Sequence, residues 1–284
     1  MTGIIGGLLA ALLWGSSTVT DAKATRLVGS IGVLGWSSIA GCTLTLPVAL
    51  IFAHDTSGVN ARGLEWLAIS SIAAVSAFAP FYRAVQLGPV PLVAGLGATE
   101  GGVAAAISFA TGERLPVLTL LGLVVALGGM IVVLVNVRAP AQRGHGHPLK
   151  AGLLATFAAF LFGLSLFAGA RAIQHVPELW LPAGSRTFGT VLVGIPLLCM
   201  GKLPRPGKFL RFTFYSALAQ STGYFAFLVA ADSSGVSVPA VLASQASVVG
   251  MVISFIVLGE RLSQRQLAGI GALLTGVAVV AATR

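Results

Sequence analysis

Charge is what this chain has least of. Only 9% of its 284 residues are Asp, Glu, Lys or Arg, against roughly 25% in ordinary soluble domains. Hydrophobic residues make up 56%, and the mean hydropathy is +0.95. No soluble fold of this length could hide so much apolar side chain, so lipid must solvate most of it. Cysteine is scarce too. Cys42 and Cys199 both fall inside apolar runs, so neither a disulfide framework nor a metal site is implied. The four histidines, His54, His145, His147 and His175, all lie in polar connections, so none stands at membrane depth as metal ligand, proton relay or general base. There is no phosphate loop, dinucleotide fingerprint or pair of carboxylates. Gly163-Leu164-Ser165 lacks the following glycine and the membrane-depth histidine that a serine-nucleophile turn requires. These absences argue against an enzyme, and neither a cofactor nor a metal is implied. The net charge of +9 comes from Lys and Arg scattered through short connections, which suits anionic headgroups rather than nucleic acid.

What the chain does have is a repeat. The glycine-rich stretch 88–115, GPVPLVAGLGATEGGVAAAISFATGERL, returns as 235–262, GVSVPAVLASQASVVGMVISFIVLGERL. Both close on Gly-Glu-Arg-Leu, and the offset of 147 (259 − 112) also maps Gly122 on Gly269 and Gly129 on Gly276. At 1.5 Å per residue, about 20 apolar residues cross a hydrocarbon core of roughly 30 Å. That ruler predicts ten spanning helices, near residues 3–22, 31–52, 63–85, 91–111 and 116–137, then 151–172, 179–200, 209–232, 239–258 and 263–282. The N-terminus has no basic n-region or small-residue cleavage site and reads as the first span rather than a secretory signal. Arg138–Lys150 is the only long polar connection, so residues 1–137 and 151–284 are expected to be two five-helix repeats joined by a 138–150 linker. Five is odd, so the second repeat enters the membrane in the opposite sense. The expected fold is therefore all-α and polytopic, with inverted repeats, the construction of many secondary transporters.

Charge also bears on orientation. Lys23, Arg26, Arg83, Arg138, Arg143, Lys150, Lys202, Arg205, Lys208, Arg211, Arg261 and Arg265 flank one membrane face; Arg62, Arg114, Arg171 and Arg284 flank the other. The positive-inside rule then puts both termini outside the cytoplasm.

Few residues could carry chemistry at depth. Glu100 lies 12 residues before Gly112 and 9 after Pro91, about 18 Å and 13.5 Å from the two helix ends, near the midplane. A carboxylate there costs about 2.5–3.5 kcal/mol on insertion scales, so it needs a partner or a purpose. It reads either as a contact for a substrate amine or a coupling proton, or as a structural glutamate bonded to a neighbour. Arg186 reads either as a snorkelling side chain or as a counter-ion to Glu100 or to a substrate carboxylate. Asp21, Glu65, Glu178 and Asp232 read as helix-end caps or solvated charges. Gly97 and Gly101 make a small-residue face that either packs backbone-close to a neighbour or walls a cavity that a ligand fills. Ser244 and Gln245 offer uncharged hydrogen-bonding groups, and Trp14, Phe78, Tyr82, Phe162 and Tyr224 are candidate cavity aromatics, each weighed against a lipid-facing or core role.

Four motifs carry a resemblance. Ala11-Leu12-Leu13-Trp14-Gly15-Ser16-Ser17, the run Phe81–Pro89 and the two Gly-Glu-Arg-Leu closures resemble, in order and spacing, the ten-helix EamA-type branch of the drug/metabolite transporter superfamily. Within that branch the chain resembles the aromatic amino-acid exporters. The resemblance covers essentially the whole chain and implies inverted five-helix repeats around a central cavity, small-metabolite export and cytoplasmic termini, this last against the charge count. Glu100 and Ser247 stand where the family often has proline, so proline hinging does not carry over. The expectation is a multi-pass inner-membrane exporter of small metabolites, most of all amino acids, working by alternating access, with lipid as its surroundings and protons as a candidate coupling ion. A multidrug/proton antiporter and a sugar-phosphate or nucleotide-sugar carrier are the alternatives; the carrier should show several buried Lys or Arg.

Overall fold

The computed structural model describes residues 2–53, 58–112, 117–136, 147–234, 243, 246–259 and 263–282. Every regular element among them is helical. In order they are α1 (Thr2–Val28), α2 (Ser30–Phe52), α3 (Ala61–Leu87), α4 (Val90–Gly97), α5 (Glu100–Ala110) and α6 (Val117–Asn136). Then come α7 (Pro148–Ala172), α8 (Trp180–Gly189), a π turn (Thr190–Gly194), α9 (Ile195–Cys199), α10 (Leu210–Ser234), α11 (Ala246–Leu258) and α12 (Gln264–Ala282). Ser30–Phe52, Ala61–Leu87, Pro148–Ala172 and the continuous Trp180–Cys199 are each long and apolar enough to cross a membrane.

Side-chain size is distributed inside out relative to a soluble protein. The buried set is dominated by small residues, among them Ala10, Ala22, Ala77, Ala155 and Ala168, while Leu12, Phe52, Val124, Phe157 and Ile256 face outward. Helices in lipid gain nothing by hiding leucine, whose surroundings are equally apolar on either side; they gain by bringing backbones close through small residues. The chain is a multi-pass membrane protein.

Two sequence expectations need correction. The helix predicted over 91–111 is not continuous: α4 stops at Gly97, the N–H of Thr99 and its hydroxyl both bond to the Leu96 carbonyl at 3.1 and 2.7 Å, and α5 starts at Glu100. Gly95, Gly97, Gly101 and Gly102 flank the break, and glycine costs about 1 kcal/mol relative to alanine in a helix. A tight turn there needs no proline. Of the two readings of Gly97, close packing is the one that fails, since a Cβ added to it would meet nothing within 4 Å. The close approaches are elsewhere. A Cβ on Gly95 would come 2.8 Å from Ile270 of α12, and one on Gly88 would come 2.4 Å from the Ala151 Cβ at the start of α7.

The helix predicted over 179–200 is present but changes pitch. Pro196 has no N–H for the Leu192 carbonyl, and the turn before it widens so that the Ile195 N–H bonds to Thr190 O, five residues back.

The most extensive seams join α3 to α7 and α1 to α10, with α6 against α12 next. Ser70 and Ser165 tie the first of these reciprocally, each hydroxyl donating to the other's carbonyl, at 2.9 and 2.8 Å. Ser165 is thus a packing residue of α7. Gly122 and Gly129 of α6 are buried, as are their repeat partners Gly269 and Gly276 of α12.

Candidate functional site

Where α1, α2, α3, α8 and α10 converge, polar side chains meet in the interior. Asp21 is 0% exposed and Arg186 8%. Arg186 Nη1 donates to Ser37 Oγ at 3.1 Å, and Nη2 donates to Gln220 Oε1. Gln220 Nε2 donates to Asp21 Oδ2 at 3.1 Å and to Ser216 Oγ at 2.9 Å. Ser37 Oγ and the Tyr82 hydroxyl share a bond of 2.9 Å. The carboxylate and the guanidinium therefore interact through one carboxamide rather than directly.

Each member is in place for a local reason. On α1, Trp14, Ser17, Asp21 and Thr25 follow one another at spacings of three and four, which aligns them on one face. Asp21 is no helix end, because α1 runs on to Val28. On α10, Thr213, Ser216 and Gln220 repeat the pattern, and Gln220, ten residues after Leu210, lies about 15 Å along its helix. Arg186 fits because residue 41 is glycine: a Cβ there would come 2.5 Å from Arg186 Cδ and 2.8 Å from Nε. The snorkelling reading of Arg186 fails on its burial. Nor does it pair with Glu100: among the described residues no ion pair joins the two, and Arg186 donates to Ser37 and Gln220.

Aromatic rings wall the network. The guanidinium carbon stands 4.7 Å from the Phe78 ring centroid. Phe78 stacks on Tyr82 at 5.5 Å and meets Phe162 of α7 edge-on at 5.1 Å. Tyr82, near the end of α3, is fully buried. On the other side Trp14 Nε1 donates to the Gln220 carbonyl at 3.2 Å, and Phe227 links Trp14 to Tyr224, with centroids 6.1 and 6.4 Å apart. Of the residues singled out in the sequence, Trp14, Phe78, Tyr82, Phe162 and Arg186 are thus gathered around one centre, with Tyr224 joined through Phe227. Asp21, set aside as a helix-end charge, belongs to it, as do Ser37, Ser216 and Gln220, which were not singled out. Ser37 comes from α2 and Arg186 from α8.

Glu100 lies apart. It occupies the first turn of α5, where free N–H groups and the helix dipole favour a negative charge, and its carbonyl sits 2.7 Å from where a Cβ on Gly163 would be. Among the described residues, no hydrogen bond or ion pair joins its carboxylate to the network. Ser244 and Gln245 lie outside the described residues. A groove of about 480 Å³ between α2 and the start of α10, lined by Trp36, Ile39, Thr43, Arg211, Thr213 and Phe214, reaches the polar stripe of α10 only at Thr213 and includes none of the hydrogen-bonded residues of the network. Among the described residues no group of His, Cys, Asp and Glu is arranged to hold a metal.

Fold and centre together define a polytopic membrane protein with opposite charges and hydrogen-bonding groups enclosed among its helices. The sequence model of the EamA-like transporter family matches residues 1–135 and again residues 149–282, and the chain belongs to that family, whose members are membrane transporters of small molecules. A solved structure described as "Crystal structure of protein" is similar over 98% of this chain and 95% of its own, with a TM-score of 0.64 at 16% identity, a likeness of fold. No curated protein matches the chain.

Proposed function

We propose that this transporter exports amino acids with aromatic or other apolar side chains across a bacterial-type inner membrane, by alternating access between two inverted five-helix repeats. One observation carries the reading: a buried guanidinium on an aromatic wall, held by a serine and a glutamine rather than by a carboxylate. Arg186 takes the substrate carboxylate, since a planar fork of donors suits that group. Phe78, Tyr82 and Phe162 receive an apolar side chain on one flank, Trp14 and Tyr224 on the other. Glu100 either couples a proton or holds the start of α5.

The ten-span, two-repeat architecture draws support from the packing. Exchanging each span for its partner five further on turns the α3–α7 seam into α10–α1 and the α2–α10 contact into α8–α3. It also turns the α5–α7 contact into α11–α1 and maps α6–α12 on itself. The two stretches matched by one family model, with a gap at 136–148 that overlaps the 138–150 linker, support the same division. Substrate sites between such repeats alternate in exposure as one bundle rocks against the other. A sugar-phosphate carrier fits less well, because Arg186 is the only buried Lys or Arg among the described residues.

The test is uptake into proteoliposomes of a panel of amino acids, nucleotide sugars and cationic dyes. Saturable transport of phenylalanine or leucine is expected. Transport confined to dyes or nucleotide sugars sinks the proposal, and recovery of chemically altered substrate would point to an enzyme instead.

A further inference from the structure

One buried oxygen in the central network has no hydrogen to accept. Asp21 Oδ2 takes the Gln220 amide at 3.1 Å, while Oδ1, equally enclosed, has no partner. An ionised carboxylate has about four lone-pair sites, and charge buried without full satisfaction is a liability that a bound group can relieve.

Most of the groups around it are engaged elsewhere; the Ser216 hydroxyl, which accepts from Gln220, is a neutral donor beside the carboxylate but makes no bond to Oδ1. Both amide hydrogens of Gln220 are spent, on Asp21 and on Ser216, and its oxygen is taken by Arg186. Ser17 bonds to the Trp14 carbonyl, Thr25 to the Ala22 carbonyl, and Tyr82 pairs with Ser37. The cations of α1 itself are turned elsewhere, Lys23 over the Phe212 ring at 5.7 Å and Arg26 to the Gly88 carbonyl at 3.3 Å. Around Asp21, α3 contributes one titratable group, Tyr82, and α8 one cation, Arg186; α2 and α10 contribute Ser37, Ser216 and Gln220, which are neutral. The helices α4 and α11, also packed on α1, contain no titratable residue.

The arrangement has a polarity. Gln220 presents a donor to Asp21 and an acceptor to Arg186, the same order of groups as the head of an α-amino acid, whose ammonium and carboxylate stand on one carbon.

We propose that Asp21 is the ammonium subsite of this transporter: its Oδ1 receives the amine of a zwitterion whose carboxylate engages Arg186, and the Gln220 carboxamide holds the two charges in register while the site is empty. This rests on the amino-acid reading above and extends it to a residue outside the resemblance. It commits the site to zwitterions over simple anions or simple amines.

The experiment is competition against labelled phenylalanine in proteoliposomes, using unlabelled phenylalanine, N-acetylphenylalanine and 3-phenylpropanoate, with wild type and Asp21→Asn. In wild type, the two competitors lacking an ammonium should be at least tenfold weaker than phenylalanine. In Asp21→Asn, phenylalanine should weaken by tenfold or more while 3-phenylpropanoate changes less than threefold. Equal potency of all three competitors on wild type overturns the subsite, and needs no variant to fold. Equal weakening of phenylalanine and 3-phenylpropanoate in Asp21→Asn overturns it as well. So does normal phenylalanine exchange that has lost only its response to a pH gradient, which would make Asp21 a proton carrier. Wild type that moves no amino acid sinks the function proposed above and takes the subsite with it, a result separable from the others because it appears before any competitor is added.

Discussion

Gly41→Ala reaches the centre without removing any of its functional groups. The new Cβ would meet Arg186 Cδ at 2.5 Å, Nε at 2.8 Å and Cγ at 2.9 Å, whereas ordinary contact begins at 3.4 Å. The side chain must therefore retreat by about 0.9 Å, the difference between 3.4 and 2.5 Å. A shift of that size takes Nη1 beyond bonding range of Ser37, now 3.1 Å away, and a hydrogen bond to a charged group contributes about 1.5–3 kcal/mol. Overpacking adds about 1 kcal/mol, the low end of its range because the displaced atoms belong to a flexible side chain, and alanine returns a similar amount in helix propensity; the net cost to folding is then about that of the lost hydrogen bond. Transport should fall by about 10²-fold, the penalty typical of a 1 Å misplacement in a positioned site. The assay is phenylalanine counterflow in proteoliposomes, with thermal unfolding in detergent as the fold control. Gly128→Ala, whose Cβ would meet nothing within 4 Å, is the matched negative. Wild-type counterflow in Gly41→Ala would refute the role given to the guanidinium's position.

Three further outcomes are expected. Gly163→Ala would set a Cβ 2.7 Å from the Glu100 carbonyl and 2.6 Å from Val103 Cβ; backbone cannot swing aside as arginine can, so unfolding in detergent should show a loss of about 1–3 kcal/mol. If Glu100 only holds the start of α5, Glu100→Gln gives up about 0.3–1 kcal/mol of dipole interaction and leaves uptake within about twofold of wild type; a tenfold fall with folded yield intact would put Glu100 on the transport path as a proton coupler. Fusions of a reporter active only in the cytoplasm should be silent at both termini if the positive-inside count governs, and activity at both would return the decision to the family's habit.

Much of the helix layout was legible in the sequence, because apolar length is a local property. The runs predicted over 31–52 and 63–85 reappear as Ser30–Phe52 and Ala61–Leu87 within two residues at each end. The break after Gly97 was hidden, since the same glycines that weaken a helix also pack well inside one. Asp21 misled for a related reason. In WGSSTVTDAK the polar density imitates a helix end, yet the spacing of Trp14, Ser17, Asp21 and Thr25 already placed them on a single stripe. Reading that stripe as an inward face would have found the carboxylate. Gln220 could not have been found as its partner by any local rule, because 199 residues separate the two and only the packing of α1 on α10 brings them together. Arg186 was visible as a charge in an apolar run, but its position depends on a glycine in another helix, which sequence patterning does not reveal.

The central claim is that the Arg186 guanidinium is the anchor for the substrate's carboxylate. It is tested most directly by phenylalanine counterflow with Arg186→Gln, a substitution that keeps hydrogen-bonding capacity and removes the charge. The account requires wild type to show saturable counterflow and the variant to fall at least tenfold with an unchanged elution profile in detergent. Equal counterflow in the two proteins would contradict it.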